Sequence, residues 1–296
     1  MKTKASIAVI LAGILWGCIT LFVRRLSAAG LTSMQIALAR LAVSAVLFSL
    51  FLLIRNPSRF RIDPMDLWMF IGTGIVSLDF FITCYFYTMV HGQASIAVVL
   101  LYTSPVFVML FSAVLFREAI TRRKLLALCL TVAGCVFVSG ILSGSLSVKP
   151  LVFLSGIASG LLYALYTIFG RYALKKYDTL TVTAYTFFFA FFGALFLGDP
   201  AGLTQVLRAQ PGLLLPLVGI SFVSTVLPYL LYTWGLRHID SGKAAILVAV
   251  EPVVGSVIGM TVFSEPHDLP KLIGIALIIA AIITLNTGGF FKKDPA

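Results

Sequence analysis

The sequence predicts an all-α polytopic membrane protein: ten transmembrane helices in two inverted five-helix repeats, with both termini cytoplasmic. Three observations predict it: an apolar composition, ten apolar runs of spanning length, and self-similarity at a fixed offset of 147 residues. Of 296 residues, 60% are hydrophobic and 11% charged, and the mean hydropathy is +1.05. A soluble domain carries about 25% charged residues, so composition alone sets the class.

Each run has its own warrant, since a helix needs about 20 apolar residues to cross a bilayer. The first, 5–23, ends at Arg24-Arg25. At about 19 residues it exceeds the roughly 7–15 of a signal-peptide core, so it is expected as a retained span. Runs 34–54 and 67–88 each hold one charge, Arg40 and Asp79. Run 93–116 contains Pro105 and leads into Arg117-Glu118; run 124–142 follows Arg122-Arg123. The other five are 150–170, 180–198, 212–235, 244–263 and 270–289, with Glu251-Pro252 near the middle of the ninth. Connections are short and leave no room for a separate soluble domain.

Lysine and arginine divide unequally between the two sides. Sixteen, from Lys2 and Lys4 through Arg59 to Lys292 and Lys293, fall on the side of the termini. Five, Arg24, Arg25, Lys149, Arg208 and Lys271, fall on the other, and Arg40 lies within a run. The positive-inside rule therefore puts both termini in the cytoplasm, as an even span count requires. Cations placed between apolar runs are topology signals, not a nucleic-acid footprint. Cys18, Cys84, Cys129 and Cys135 lie in apolar segments without a C-x-x-C pair, so they read as packing residues. No metal or cofactor is expected.

Sliding the chain by 147 residues without gaps lays "YFYTMVHGQASIAVVLLYTSPV" on "YTWGLRHIDSGKAAILVAVEPV". Tyr85 falls on Tyr232, His91 on His238, Pro105 on Pro252, Phe116 on Phe263, Glu118 on Glu265 and Lys124 on Lys271. The same offset puts Gly13 on Gly160, Trp16 on Tyr163, Thr20 on Thr167 and Arg24 on Arg171. Each unit, 5–142 and 150–289, holds five runs. Five is odd, so the second unit starts on the opposite side of the membrane. Inverted repeats of this kind are a transporter signature, with the substrate bound near the midplane where the halves meet.

A charge at mid-membrane costs roughly 2.5–3.5 kcal/mol on insertion scales, so Arg40, Asp79 and Glu251 are candidate substrate or coupling residues. The structural alternatives are snorkelling for Arg40, a neutral inter-helix hydrogen bond for Asp79, and a carboxyl satisfied by a neighbour for Glu251. Glu251 could carry a coupling proton or meet a cationic amine. Pro105 and Pro252 remove a backbone donor each, from the carbonyls of Leu101 and Val248, and shape their helices. Trp16, Tyr102, Tyr163, Tyr166 and Tyr229 lie at depths suited to a cavity wall. Gly13/Gly17, Gly156/Gly160 and Gly255/Gly259 are G-x-x-x-G patterns that permit close helix contacts.

On these residues the chain resembles the EamA-type transporters of the drug/metabolite transporter superfamily, over nearly its whole length. Trp16-Gly17, Arg40, "YTSPVFVMLFSAVLFRE" and "VAVEPVVGSVIGMTVFSE" carry the likeness. In that family a proline in the fourth span of each unit is followed by a glutamate at its end, here Pro105/Glu118 and Pro252/Glu265. The resemblance implies a ten-helix bundle with its cavity lined by spans 1, 3, 4, 6, 8 and 9, and a peripheral fifth span in each unit. The four-span multidrug relatives use a glutamate in span 1, which this chain lacks.

The expectation is a monomeric secondary transporter in the cytoplasmic membrane, moving a small organic solute, an amino acid or drug-like molecule, outward by alternating access. An importer or uniporter of the same fold is the nearest alternative. An intramembrane enzyme is disfavoured because His91, His238 and His267 are expected in loops and no nucleophile–base or metal set recurs. A channel rarely needs mirrored halves, and a primary pump would need a phosphate-binding loop.

Overall fold

A computed structural model describes residues 1–55, 61–92, 94–141, 149–266 and 268–286. Arg59, His267, Lys292, Lys293 and the outer limits of runs 93–116, 124–142 and 270–289 lie outside the described residues. Among the described residues nine helices are long and apolar enough to cross a membrane. They are α1 (Lys2–Ala28), α2 (Ser33–Ile54), α3 (Pro64–His91), α4 (Ala94–Phe116), α6 (Pro150–Ala173), α7 (Thr179–Leu197), α8 (Pro211–Leu236), α9 (Ser241–Val262) and α10 (Leu269–Asn286). Between α4 and α6 runs α5, Arg122–Val138, at 17 residues slightly shorter. A short amphipathic helix, Pro200–Ala209, precedes α8.

Side-chain ties sort the helix ends into two groups. At one end Lys124 pairs with Asp240 at 2.9 Å, Lys176 with Asp66 at 2.6 Å, and the Tyr177 hydroxyl donates to Asp66 at 2.6 Å. At the other Arg24 pairs with Glu265, Gln35 donates to Asp199 at 3.1 Å, and the Thr88 hydroxyl reaches the Val152 carbonyl at 3.5 Å. The first is the basic end of the bundle; the second is called here the far end. Several sequence expectations shift slightly. Helix α1 continues to Ala28, so Arg24 and Arg25 sit on a helix and not in a loop. His91 is likewise the last residue of its helix, its ring stacked 4.1 Å from Tyr87.

Helices α3, α4, α8 and α9 are interrupted at positions that correspond, to within a residue, across the 147-residue offset; α1 is also interrupted, at Cys18, without a counterpart in α6. Helix α4 breaks between Leu101 and Ser104, and α9 between Leu247 and Val250. Helices α3 and α8 each contain a π-helical segment, ending at Asp79 and at Val226. Arg117 and Ser264, also 147 apart, both take left-handed backbone (φ 55° and 53°). Each lets the next residue's N–H turn back onto its helix: Glu118 donates to the Ser112 carbonyl at 3.2 Å and Glu265 to that of Gly259 at 3.0 Å.

The breaks are where the prolines act. The Val248 carbonyl, which loses its regular partner at Pro252, accepts instead from the Glu251 N–H at 3.0 Å. Glycines let a second helix close on each break. A Cβ at Gly13 would lie 2.7 Å from the Val248 carbonyl oxygen, and one at Gly160 would lie 2.7 Å from that of Leu100. So α1 seats on the break of α9, and α6 on the break of α4. The third pattern behaves differently: Gly255 has open space around it, and Gly259 makes room for the Glu265 carboxylate. Helices α5 and α10 pack on each other through Gly134 and Gly274, each of which would bring a Cβ within 2.9 Å of the other's carbonyl oxygen. Small residues permit such approaches in lipid, where packing rather than the hydrophobic effect joins helices.

Candidate functional site

Glu251 sits in the first turn of the helical segment that restarts after the break in α9. A carboxylate there meets the positive end of a half-helix, a favourable place for a negative charge. Across from it, Tyr102 occupies the break in α4, with its hydroxyl toward the Glu251 carboxylate. Tyr85 of α3, Tyr163 of α6, Tyr229 of α8 and Arg40 of α2 lie within electrostatic range of the same group. Arg40 is fixed by its Nε, which donates to the Thr225 hydroxyl in the π-helical segment of α8 at 3.0 Å. Glu251, Arg40, Tyr85 and Tyr163 are deep in the bundle yet each keeps part of its surface open, which marks an internal cleft.

The floor of the cleft is a buried aromatic cluster on its basic-end side. Tyr229 meets Trp16, Tyr166 and Phe187 edge-on, with ring centroids 4.9, 5.2 and 5.0 Å apart. Below it, α6 and α8 are tied together. Tyr166 bonds Thr233 at 2.9 Å and Thr167 bonds Tyr232 at 2.7 Å. Arg171 then donates to the carbonyls of Leu236 and Ile239, the latter at 3.0 Å. Glu118 accepts from the N–H groups of Ser241 and Gly242 at 2.8 and 3.2 Å, holding the start of α9.

At the far end the counterparts 147 positions away in the repeat are bonded differently. Thr20 donates to Gly17 of its own helix at 3.3 Å, and Tyr85 turns to the cleft. Arg24 pairs with Glu265 and lies 4.1 Å over the Phe263 ring. Lys271 also reaches Glu265, at 3.4 Å. Between them these cations outweigh the effect of burial and hold the Glu265 carboxyl below its ordinary range.

The structure thus brings together Glu251, Arg40, Trp16, Tyr102, Tyr163, Tyr166 and Tyr229. Pro105 and Pro252 flank the two breaks behind them. Asp79 stands apart: it is buried, faces α2 and α7, and has Glu251 and Arg40 among neither its bonds nor its charged neighbours. Tyr85, Tyr232, Thr167 and Thr225 belong with the site and were not singled out for it. Tyr85 and Tyr232 were signalled, being an identical pair in the repeat; Thr225 carried no signal. Among the described residues no cluster of three His, Cys, Asp or Glu could hold a metal. A guanidinium and a carboxylate in an aromatic cleft suit binding of a polar organic solute, not bond-making chemistry.

Residues 3–140 and 150–287 each match the model of the EamA-like transporter family. An uncharacterized transporter of Archaeoglobus fulgidus is 27% identical, over 93% of this chain and 94% of the relative. The pseudopaline exporter CntI of Pseudomonas aeruginosa is 26% identical, over 97% of this chain and 96% of its own. A crystal structure 18% identical to the chain superposes on 97% of it, and on 97% of its own chain, with a TM-score of 0.80. Two family units spanning the chain, in a bundle of membrane-length helices, make it a multi-pass membrane transporter, not an enzyme, and a member of the EamA-like transporter family.

Proposed function

We propose that the chain is a ten-span secondary transporter of two inverted units, 5–142 and 150–289, with both termini cytoplasmic. It exports a small organic solute across the cell membrane by alternating access, as a monomer. The solute is amino-acid-like or drug-like, with an ammonium facing Glu251, an anionic or polar group facing Arg40, and an apolar body against Trp16, Tyr163 and Tyr229. Opposite charges within one aromatic-walled cleft support a zwitterion over a purely apolar substrate. The likeness to a pseudopaline exporter supports outward transport of a metabolite.

The observation that carries alternating access is the different bonding of equivalent residues at the two ends. Thr167–Tyr232, Arg171 and Glu118 close the basic end. Their partners in the repeat, Thr20, Tyr85, Arg24 and Glu265, leave the far end unlatched between α1 and α3. Two halves of one design in two different states are what a mirrored carrier requires. In the opposite state Thr20 bonds Tyr85, Arg24 turns to the carbonyls of Met89 and Gly92, and Glu265 caps the N–H groups of Ala94 and Ser95. The basic-end bonds release at the same time. Tyr85 then swings away from Glu251, which links substrate release to closure.

The test is counterflow in liposomes with a panel of radiolabelled amino acids and cationic drugs. Saturable exchange of at least one, lost in Glu251→Gln, is the expected result. Flux that rises linearly with every solute would overturn the carrier reading in favour of a channel.

A further inference from the structure

Asp79 is the one intramembrane charge that the cleft does not use. It is 3% exposed, and its Oδ2 has no hydrogen-bond partner. Asp79 also lines a cavity of about 10 Å³ between α2, α3 and α7, walled by Met34, Leu38, Leu41, Thr83, Ala194 and Leu197. Room is made for the carboxyl by Gly193, where a Cβ would stand 3.0 Å from the Asp79 Cγ. A volume of this size holds about one water molecule.

The surroundings decide what this pocket takes. On α2, Arg40 is committed to Thr225. On α6, Tyr163 packs on Phe81, 5.2 Å between ring centroids, on the side of Glu251. On α7, Tyr185 packs on Phe70 at 5.1 Å. On α3 itself, Tyr85 is turned to Glu251, and Cys84 lies at the Ser155 hydroxyl. No cation among the described residues faces the carboxyl. A bare carboxylate in an apolar, one-water space is strongly disfavoured. A metal ion would want about six oxygens or more, and the walls offer only the side chains of Asp79 and Thr83. A proton is the ligand that fits.

We propose that the pocket between α2, α3 and α7 is a proton-binding site, with Asp79 as the acceptor, separate from the Glu251 cleft. Met34 in the first turn of α2 and Leu197 at the end of α7 place its rim toward the far end, and Leu197 is 40% exposed there, so the proton has a short route. Asp79 ends the π-helical segment of α3, and the Thr83 hydroxyl donates to its carbonyl at 2.9 Å. One turn and a half further, the same helix presents Tyr85. Charge on Asp79 therefore acts on the helix that closes over the cleft. Binding of the proton stands alone; its coupling to solute flux rests on the transport reading above. The equivalent position in α8 is Val226, so the pocket belongs to one half only.

Infrared difference spectra of the full chain in liposomes, taken through a pH titration, test the site directly. The wild type is expected to show protonated-carboxyl bands from both Asp79 and Glu251. Asp79→Asn should delete one band and Glu251→Gln the other. Should Asp79→Asn not fold, Ala194→Ser adds a hydroxyl to the pocket wall and should shift the Asp79 band. A spectrum unchanged in both Asp79→Asn and Ala194→Ser would overturn the proposal. Solute exchange that persists while the band is missing from the wild type sinks this site alone. A band present without any solute flux sinks only the transport reading.

Discussion

Glu251 and Arg40 face one cleft with opposite charges but make no direct ion pair; each is held by a hydroxyl instead, Tyr102 and Thr225. A direct pair would have to be broken by every substrate, whereas hydroxyl partners leave both charges available. Glu251→Gln keeps the side-chain shape and the Tyr102 contact. It should lower exchange flux at least tenfold while leaving expression and thermal stability unchanged; full activity would exclude Glu251 from the site. Glu251, Arg40 and most of the aromatic residues were legible because a charge or a tyrosine in lipid is costly and so stands out. Asp79 stood out equally but belongs elsewhere, since sequence gives depth along a helix and not the face that meets the cleft. Thr225 was illegible because a threonine's hydroxyl can satisfy itself on its own helix.

At the scale of elements, two helix pairs are joined by glycine at the broken segments. Adding one methyl at Gly160 puts a carbon within 2.7 Å of the Leu100 carbonyl, and backbone cannot yield as a side chain tip can. Gly160→Ala should therefore destabilise by about 1–3 kcal/mol, the usual range for overpacking. Gly255→Ala, with open space around it, should leave the melting temperature unchanged within error. The ends offer a sharper test. Because Thr167 and Tyr232 meet through the tyrosine hydroxyl, cysteines there should be joined by a short bifunctional thiol reagent in the resting protein, and those at Thr20 and Tyr85 only when the basic-end latch is released. Simultaneous cross-linking of both pairs in one molecule would contradict the exchange. The breaks in α4 and α9 were foreshadowed by Pro105 and Pro252. The π-helical segments were not, because an extra residue in a turn leaves no mark on an unbroken apolar run. The third G-x-x-x-G was misleading, since pattern alone does not say which face meets another helix.

For the whole molecule, the far-end clasp gives a pH dependence with a definite sign. The carboxyl of Glu265 is held below its ordinary range, so its pairing with Arg24 and Lys271 contributes fully above the unfolded-state value of about 4.3. That contribution is lost as the pH falls through the lower folded value. Thermal melts should show Glu265→Gln less sensitive than the wild type to acidification below about pH 4. An identical acid response in both would exclude the clasp as a contributor.

The left-handed residues Arg117 and Ser264, a π-helical segment and a break recur in each half, so the two halves share most of their backbone devices. On the proposed carrier reading, what the halves share cannot by itself favour one facing over the other; the preference falls to what they do not share. The three intramembrane charges break that tie. Arg40 is matched in the repeat by Phe187, Asp79 by Val226 and Glu251 by Ser104. On the proposed carrier reading these unmatched charges bias the orientation in which the protein rests, while the solute gradient sets the direction of net flux.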